Sequence, residues 1–387
     1  MNNIFYGYGI LWTIILILYF LGWSDLCLPL DNYLLTFLVI SISISFIIGY
    51  FMRKKLKFVK LENNPHKNRN ITYILVILYV VEMLYTRQIP LLNVISGFSY
   101  KQSGFSGIPN LHLLITSFSI FYSFYLSYIY ACFKEKKVLF EYLLIIMYFI
   151  LLVQRQNIVI CIIGFLNIMY AANSEYITKK IKSKKSKFMI ILLCILLSFS
   201  FGVLGNIRYG NSWNWNDSSM ITKLGKQNDQ YPKYLPNEFF WSYIYLVSPL
   251  VNLNYNIKMN EPTNNLHKTT MEFVPEFIRN KLIKEKTDKI MLPVSSLTAS
   301  TSYVKVYINS GYSGMYIMFL FQIIVCAFVL NKTYKRNKKY FIVVCNALGY
   351  FLILTFFTNT IVYSITAAML LFSLISSFNF TIRRSDV

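Results

Sequence analysis

The sequence is poor in the residues that most soluble enzymes use. Histidine occurs three times, at His66, His112 and His267, too scattered to suggest a metal cluster. No GxxxxGKS/T, HExxH or GxSxG pattern is present, which argues against nucleotide-driven and zinc-dependent mechanisms. The six cysteines are Cys27, Cys132, Cys161, Cys194, Cys326 and Cys345, and all but Cys27 fall in apolar runs. Without a CxxC pair, neither disulfides nor a structural zinc site is expected. Acidic residues are also scarce, 16 against 38 lysines and arginines. The basic residues gather in short segments between apolar runs and do not interleave with aromatics. That pattern fits membrane topology and not a nucleic-acid surface.

Apolar residues dominate what is present. They make up 56% of the 387 residues, at a mean hydropathy of +0.48. This is too apolar for a soluble globular chain and predicts an all-α, polytopic integral membrane protein. Ten runs have about the length of a span: 4–22, 33–51, 71–86, 111–132, 138–154, 156–172, 188–206, 311–331, 340–357 and 359–380. The first lacks a basic leader and an A-x-A site, so it is expected to be retained. Twenty-three of the 38 basic residues lie in five segments, "MRKKLKFVKLENNPHKNR", "KEKK", "TKKIKSKKSK", "NKTYKRNKK" and "IRRSDV". These fall on one side of the membrane if both termini are cytoplasmic, as the positive-inside rule requires.

The chain divides at the longest polar stretch. Residues 1–206 predict a bundle of about seven spans, and 311–387 a bundle of about three. Between them, 207–310 predicts a large external loop rich in aromatics, including Trp213, Trp215, Trp241, Tyr231 and Tyr243. These aromatics suit either a membrane-interface belt or stacking platforms for sugar rings. Within the loop, 239–257 is apolar enough to span but carries Pro249, Asn252, Asn254 and Asn256. A re-entrant or interfacial helix is expected there, because a further span would break the charge alternation.

The candidate site residues are cations and proton-transfer groups on the predicted outer side. Arg155 interrupts "LLVQRQNIVI", between two apolar runs with almost no connection. An arginine at that depth costs about 2.5–3.5 kcal/mol, and such residues usually mark a function. Arg87, Arg208 and Arg279 fall on the same side. Guanidinium groups bind phosphate oxygens in a bidentate fork, so several of them beside a membrane-level cavity suit a lipid diphosphate. Phosphate-headgroup contact and snorkelling are the bland alternatives. Glu82, in "LYVVEMLY", is either a functional carboxylate or a neutralising partner for Arg87 or Arg155. His112 opens the fourth span and is either structural or a general base.

In ordered segments the chain resembles the O-antigen polymerase family of oligosaccharide repeat-unit polymerases. The segments are "GFSGIPNLHLL", "VQRQNIV", "FGVLGNIRYG", "YIYLVSPLVNLNYNI" and "TASTSYVKVYINSGYSGMYIMFLF". The pattern departs at Val153, two before Arg155, where a small residue is expected. The resemblance implies a fold like the GT-C multi-span glycosyltransferases, in the bacterial cytoplasmic membrane. It implies transfer of a glycan from undecaprenyl diphosphate onto the terminal sugar of another lipid-linked repeat unit, without metal or cofactor. Arg155 and Arg208 would then stabilise the leaving diphosphate, and His112 or Glu82 would orient or deprotonate the acceptor. Arg279, Arg87 and Lys101 would contact substrate, Ser248 and Asn252 would shape a re-entrant wall, and Tyr303 and Tyr307 would line the route. The expected partners are lipid-linked glycans, membrane lipids, a flippase and a chain-length regulator. An O-antigen ligase and a lipid-linked oligosaccharide flippase are the competing functions.

Overall fold

A computed structural model describes residues 3–53, 57–66, 70–95, 105, 107–173, 184–209, 217–282 and 289–377. Among the described residues the regular elements are helices, and the bridge between Ser24 and Gln227 is isolated. The long helices are α1 (Ile4–Phe20), α2 (Asn32–Met52), α3 (Ile71–Thr86), α4 (Leu111–Phe133), α5 (Lys136–Leu151), α6 (Arg155–Ala172), α7 (Lys184–Tyr209), α8 (Glu238–Met259), α9 (Val304–Arg336), α10 (Phe341–Ile353) and α11 (Ser364–Ser376). Each of the ten apolar runs read from the sequence overlaps one of these helices, and α8 covers 239–257. Among the described residues, four helical stretches are long and apolar enough to cross a bilayer: Asn32–Met52, Leu111–Phe133, Val304–Arg336 and Lys338–Phe356. The protein is an all-α membrane protein.

The helices begin and end where side chains satisfy the free backbone groups. Asn3 caps α1 by accepting from the Phe5 amide, and Asp31 caps α2 by accepting from Tyr33 and Leu34. Two apolar cores result. One gathers α1, α2, α8 and α9, and the other gathers α3 to α6. Helix α10 serves both: Val344, Leu348 and Phe351 face the first core, while Val343, Ala347 and Tyr350 face the second. A helix apolar all round is one buried on every side, and α10 sits between the two cores.

Contacts between connections define two ends of the bundle. At one end Asn3 donates to Gly49 O, Tyr128 to Val59 O, Asn64 to Glu135 and Asn337 to Ser376 O. These contacts bring basic segments of the sequence together. At the other end, Tyr312 donates to Asp31 and Tyr19 donates to Leu28 O. Helix α8 belongs to this second end. Near its start the Tyr243 hydroxyl accepts from the Trp23 amide. Near its finish Asn254 donates to Leu28 O and Pro29 O. Eleven residues of helix cover about 16 Å, yet both positions touch the single connection between α1 and α2. Helix α8 therefore lies across the ends of α1 and α2 and does not turn back within the bundle.

The segment that does enter and return precedes α9. The Ser302 amide donates to Thr355 O, and the Tyr303 hydroxyl pairs with that of Tyr8 at 2.8 Å. Gln322 donates to the Ser302 hydroxyl. Gln322 lies ten residues past Tyr312, so the segment descends about 15 Å along α9 before rising again. That is roughly half the thickness of a bilayer core. The return needs Gly311, whose φ of 62° and ψ of −151° lie where only glycine is comfortable.

Candidate functional site

Helices α3, α4 and α5 bring together Glu82, His112 and Tyr148. Glu82 is fully buried. Its Oε1 accepts from His112 Nδ1 at 2.7 Å, and its Oε2 accepts from the Tyr148 hydroxyl at 2.6 Å. Tyr148 is fixed in turn by stacking on Tyr79, with ring centroids 3.7 Å apart and planes 9° from parallel. Tyr79 pairs with the Ser119 hydroxyl at 2.6 Å. A buried carboxylate needs donors, and these two supply them. The chain also makes room for it at Gly107, where φ is 57° and a Cβ would lie 2.4 Å from Glu82 Oε1. This accounts for the glycine in "SGIPNLH".

The arrangement separates the roles of the two titratable groups. Donation from Nδ1 to the carboxylate leaves Nε2 as the lone-pair nitrogen of neutral His112. The His112 side chain keeps 21% of its surface exposed, whereas that of Glu82 keeps none. Histidine can therefore meet an incoming hydroxyl, and the carboxylate orients it. The sequence left Glu82 open as a partner for Arg87 or for Arg155, whose side chain lies outside the described residues. Arg87 is instead exposed, in the left-handed conformation that ends α3, and the carboxylate is held by His112 and Tyr148.

Tyr148 lies directly below the turn between α5 and α6. There the Val153 amide donates to Ile150 O and the Gln154 amide to Phe149 O. Val153 adopts a φ of 57°. A β-branched residue in that region is strained, which gives physical meaning to the departure from a small residue. Arg155 is the first residue of α6 and Arg208 lies near the end of α7. The side chains of both, and all of Lys101, Trp213 and Trp215, lie outside the described residues. Gln156 beside Arg155 donates to the Tyr350 hydroxyl of α10 at 3.2 Å.

The connection between α10 and α11 brings Thr358, Asn359 and Tyr363 to a polar cavity of about 220 Å³. The entering segment 300–302 forms part of its wall, and Arg279 forms another. Arg279 donates to Glu272 Oε1 at 3.2 Å, and both side chains are buried. Asn359 donates to Glu272 Oε2 and to its backbone oxygen.

Four other residues picked from the sequence as substrate contacts serve the frame. Ser248 and Asn252 are buried in α8, and Asn252 donates to Leu297 O and Ala299 O, suspending the entering segment. Tyr303 has no exposed surface and bonds Tyr8, while Tyr307 donates to Ile257 O. The polar groups of Asn252, Tyr303 and Tyr307 are spent on backbone carbonyls and a buried hydroxyl because a descending loop has few helical hydrogen bonds of its own. Conversely, Tyr148 and Tyr363 carry no sequence signal, since each stands inside an apolar run. Their roles appear only once α3 meets α5 and α10 meets α11.

A second histidine–carboxylate pair, His66 and Glu141 at 2.6 Å, lies at the opposite end. It ties the connection at 57–66 to α5, and Thr72 donates to the same carboxylate oxygen. Both members are almost fully buried, so the pair is a structural tie.

Comparison of the chain with family models, curated proteins and solved structures finds no match.

Proposed function

We propose that the protein is a glycosyltransferase of the O-antigen polymerase type, joining undecaprenyl-diphosphate-linked repeat units at the outer face of the bacterial cytoplasmic membrane. In this reading α1 to α7 and α9 to α11 are the ten spans, in a GT-C-like arrangement, with both termini cytoplasmic. Gathering of the connections at 57–66, 134–135 and 337–340 at one end of the bundle supports that orientation. The observation that carries the reading is His112 oriented by the Glu82 carboxylate, which Tyr148 also holds immediately beneath the turn that precedes Arg155.

The chemistry follows from that placement. An acceptor hydroxyl gives its proton to His112 Nε2 and forms a bond to the anomeric carbon of the donor glycan. The bond from that carbon to the diphosphate oxygen breaks, and its electron pair leaves with undecaprenyl diphosphate. Negative charge grows on the diphosphate, and Arg155 and Arg208 are assigned as the cations that stabilise it. No metal or cofactor is required. A flippase supplies the substrate to this face, and a chain-length regulator limits the product.

Alanine at Arg155 or Arg208 removes one charge-assisted contact, so polymer yield is expected to fall by roughly 10- to 100-fold. Lysine at either position should restore only part of it, because an ammonium lacks the bidentate fork. Sizing of the surface polysaccharide at matched expression reads this out. Single repeats still attached to the acceptor support a polymerase, and nothing attached points to a ligase. Full-length polymer in both alanine variants contradicts the assignment.

A further inference from the structure

The polar cavity at the entering segment is a second site, distinct from the His112 dyad. Its charged lining is balanced. Arg279 and Glu272 neutralise one another, at 3.2 Å and out of solvent. That leaves Glu276 and Lys305, one of each sign. A diphosphate carries several negative charges and meets no net positive charge here. An alkyl chain would strip water from the Glu276 carboxylate, the Lys305 ammonium and the Ser300 hydroxyl without replacing its hydrogen bonds, which costs more than its own burial returns. A neutral polyhydroxylated ring fits both conditions. Its hydroxyls donate to Glu276 and accept from Lys305, and its apolar face meets the ring of Tyr363, which is 42% exposed. The volume of about 220 Å³ is that of a single-residue pocket, well below the 300–1,000 Å³ usual for drug-sized ligands.

We propose that this cavity binds one neutral sugar residue of the glycan, gripped by Glu276, Lys305 and Tyr363. The proposal deepens the polymerase reading and rests on it for the source of the sugar. Its position agrees with that source. Thr358, Asn359 and Tyr363 of its wall lie in the connection between α10 and α11, and α10 also carries Tyr350, which accepts from Gln156, the residue after Arg155. The buried Arg279–Glu272 pair then acts as a positioning element, fixing the wall through Asn359.

The test uses the purified full chain in nanodiscs and two probes. One is the free oligosaccharide repeat released from the host's surface polysaccharide. The other is undecaprenyl diphosphate. Glu276 is exposed and Lys305 half-buried, so Glu276→Gln and Lys305→Ala leave the packing intact, which a melting curve verifies. Each is expected to weaken oligosaccharide binding about tenfold, the loss of one hydrogen bond to a charged group, with undecaprenyl diphosphate binding unchanged. Tyr363→Ala should behave likewise and Tyr363→Phe should not. Equal oligosaccharide affinity in all variants, no oligosaccharide binding by the wild type, or selective loss of undecaprenyl diphosphate binding would overturn the proposal. Oligosaccharide binding lost in the variants, with no polymerisation by the wild type, would sink the polymerase reading and leave the sugar site standing.

Discussion

Alanine at His112 is expected to lower polymerisation by about 10²- to 10⁴-fold, the contribution typical of a positioned general base. The protein should still fold, because His112 lies at the start of α4 and its side chain is partly exposed. Glu82 is a sharper probe of the same unit. Glu82→Gln keeps the shape of the side chain but can satisfy His112 Nδ1 and Tyr148 only with one acceptor oxygen. The NH₂ group then faces a donor, and the imidazole is no longer held in the tautomer that exposes a basic Nε2. Activity should fall nearly as far as in His112→Ala. The double variant should be little worse than either single one, since the two residues act as a unit. Rates from a defined lipid-linked substrate would show this. Independent, multiplicative losses would mean that Glu82 and His112 serve separate purposes.

The largest expected effect on stability lies at Gly202. Helix α7 crosses the start of α8 there, backbone against backbone. A Cβ at Gly202 would fall 2.0 Å from Glu238 O, 2.6 Å from its carbonyl carbon and 2.7 Å from its Cα. None of these atoms belongs to a side chain that can swing away. Small residues allow such approaches between membrane helices. Gly202→Ala must therefore separate the helices, at a cost of about 1–3 kcal/mol and more for Gly202→Leu. The separation also strains the nearby bond from Trp241 Nε1 to Asn206, which is 2.7 Å long. Gly205 offers the comparison. The three atoms nearest a Cβ there belong to the Trp241 ring, the first at 2.6 Å, and a ring can shift. Melting of the detergent-solubilised protein should show Gly202→Ala falling well below Gly205→Ala. Equal melting would contradict the close crossing.

Much of the helical framework was legible because hydropathy and charge report directly on lipid and on membrane sides. The run 71–86 coincides with α3, and 33–51 and 111–132 lie within a residue of α2 and α4. His112 and Glu82 stood out for the same reason, as titratable groups in apolar surroundings. What stayed hidden depends on pairing. Asn252, Tyr303 and Tyr307 look like site residues in a long polar loop, yet Asn252 holds backbone carbonyls of the descending segment, Tyr307 donates to Ile257 O of α8, and Tyr303 pairs with the Tyr8 hydroxyl. Periodicity cannot show that 297–303 folds down beside the later turns of α9, because the signal is tertiary: Ser302 against Thr355, and Gln322 against Ser302. The cavity escaped for the same reason. Glu276 and Lys305 lie 29 positions apart and read as ordinary surface charges until the segment between them turns inward.

The central claim is that this chain alone lengthens a glycan on a lipid diphosphate. Purified protein in nanodiscs, given only undecaprenyl-diphosphate-linked repeat units and a chelator, tests it most directly. The account predicts a ladder of products differing by one repeat, with one undecaprenyl diphosphate released per bond formed, and no ladder with His112→Ala. Wild-type protein that binds the substrate but forms no product longer than one repeat would contradict it.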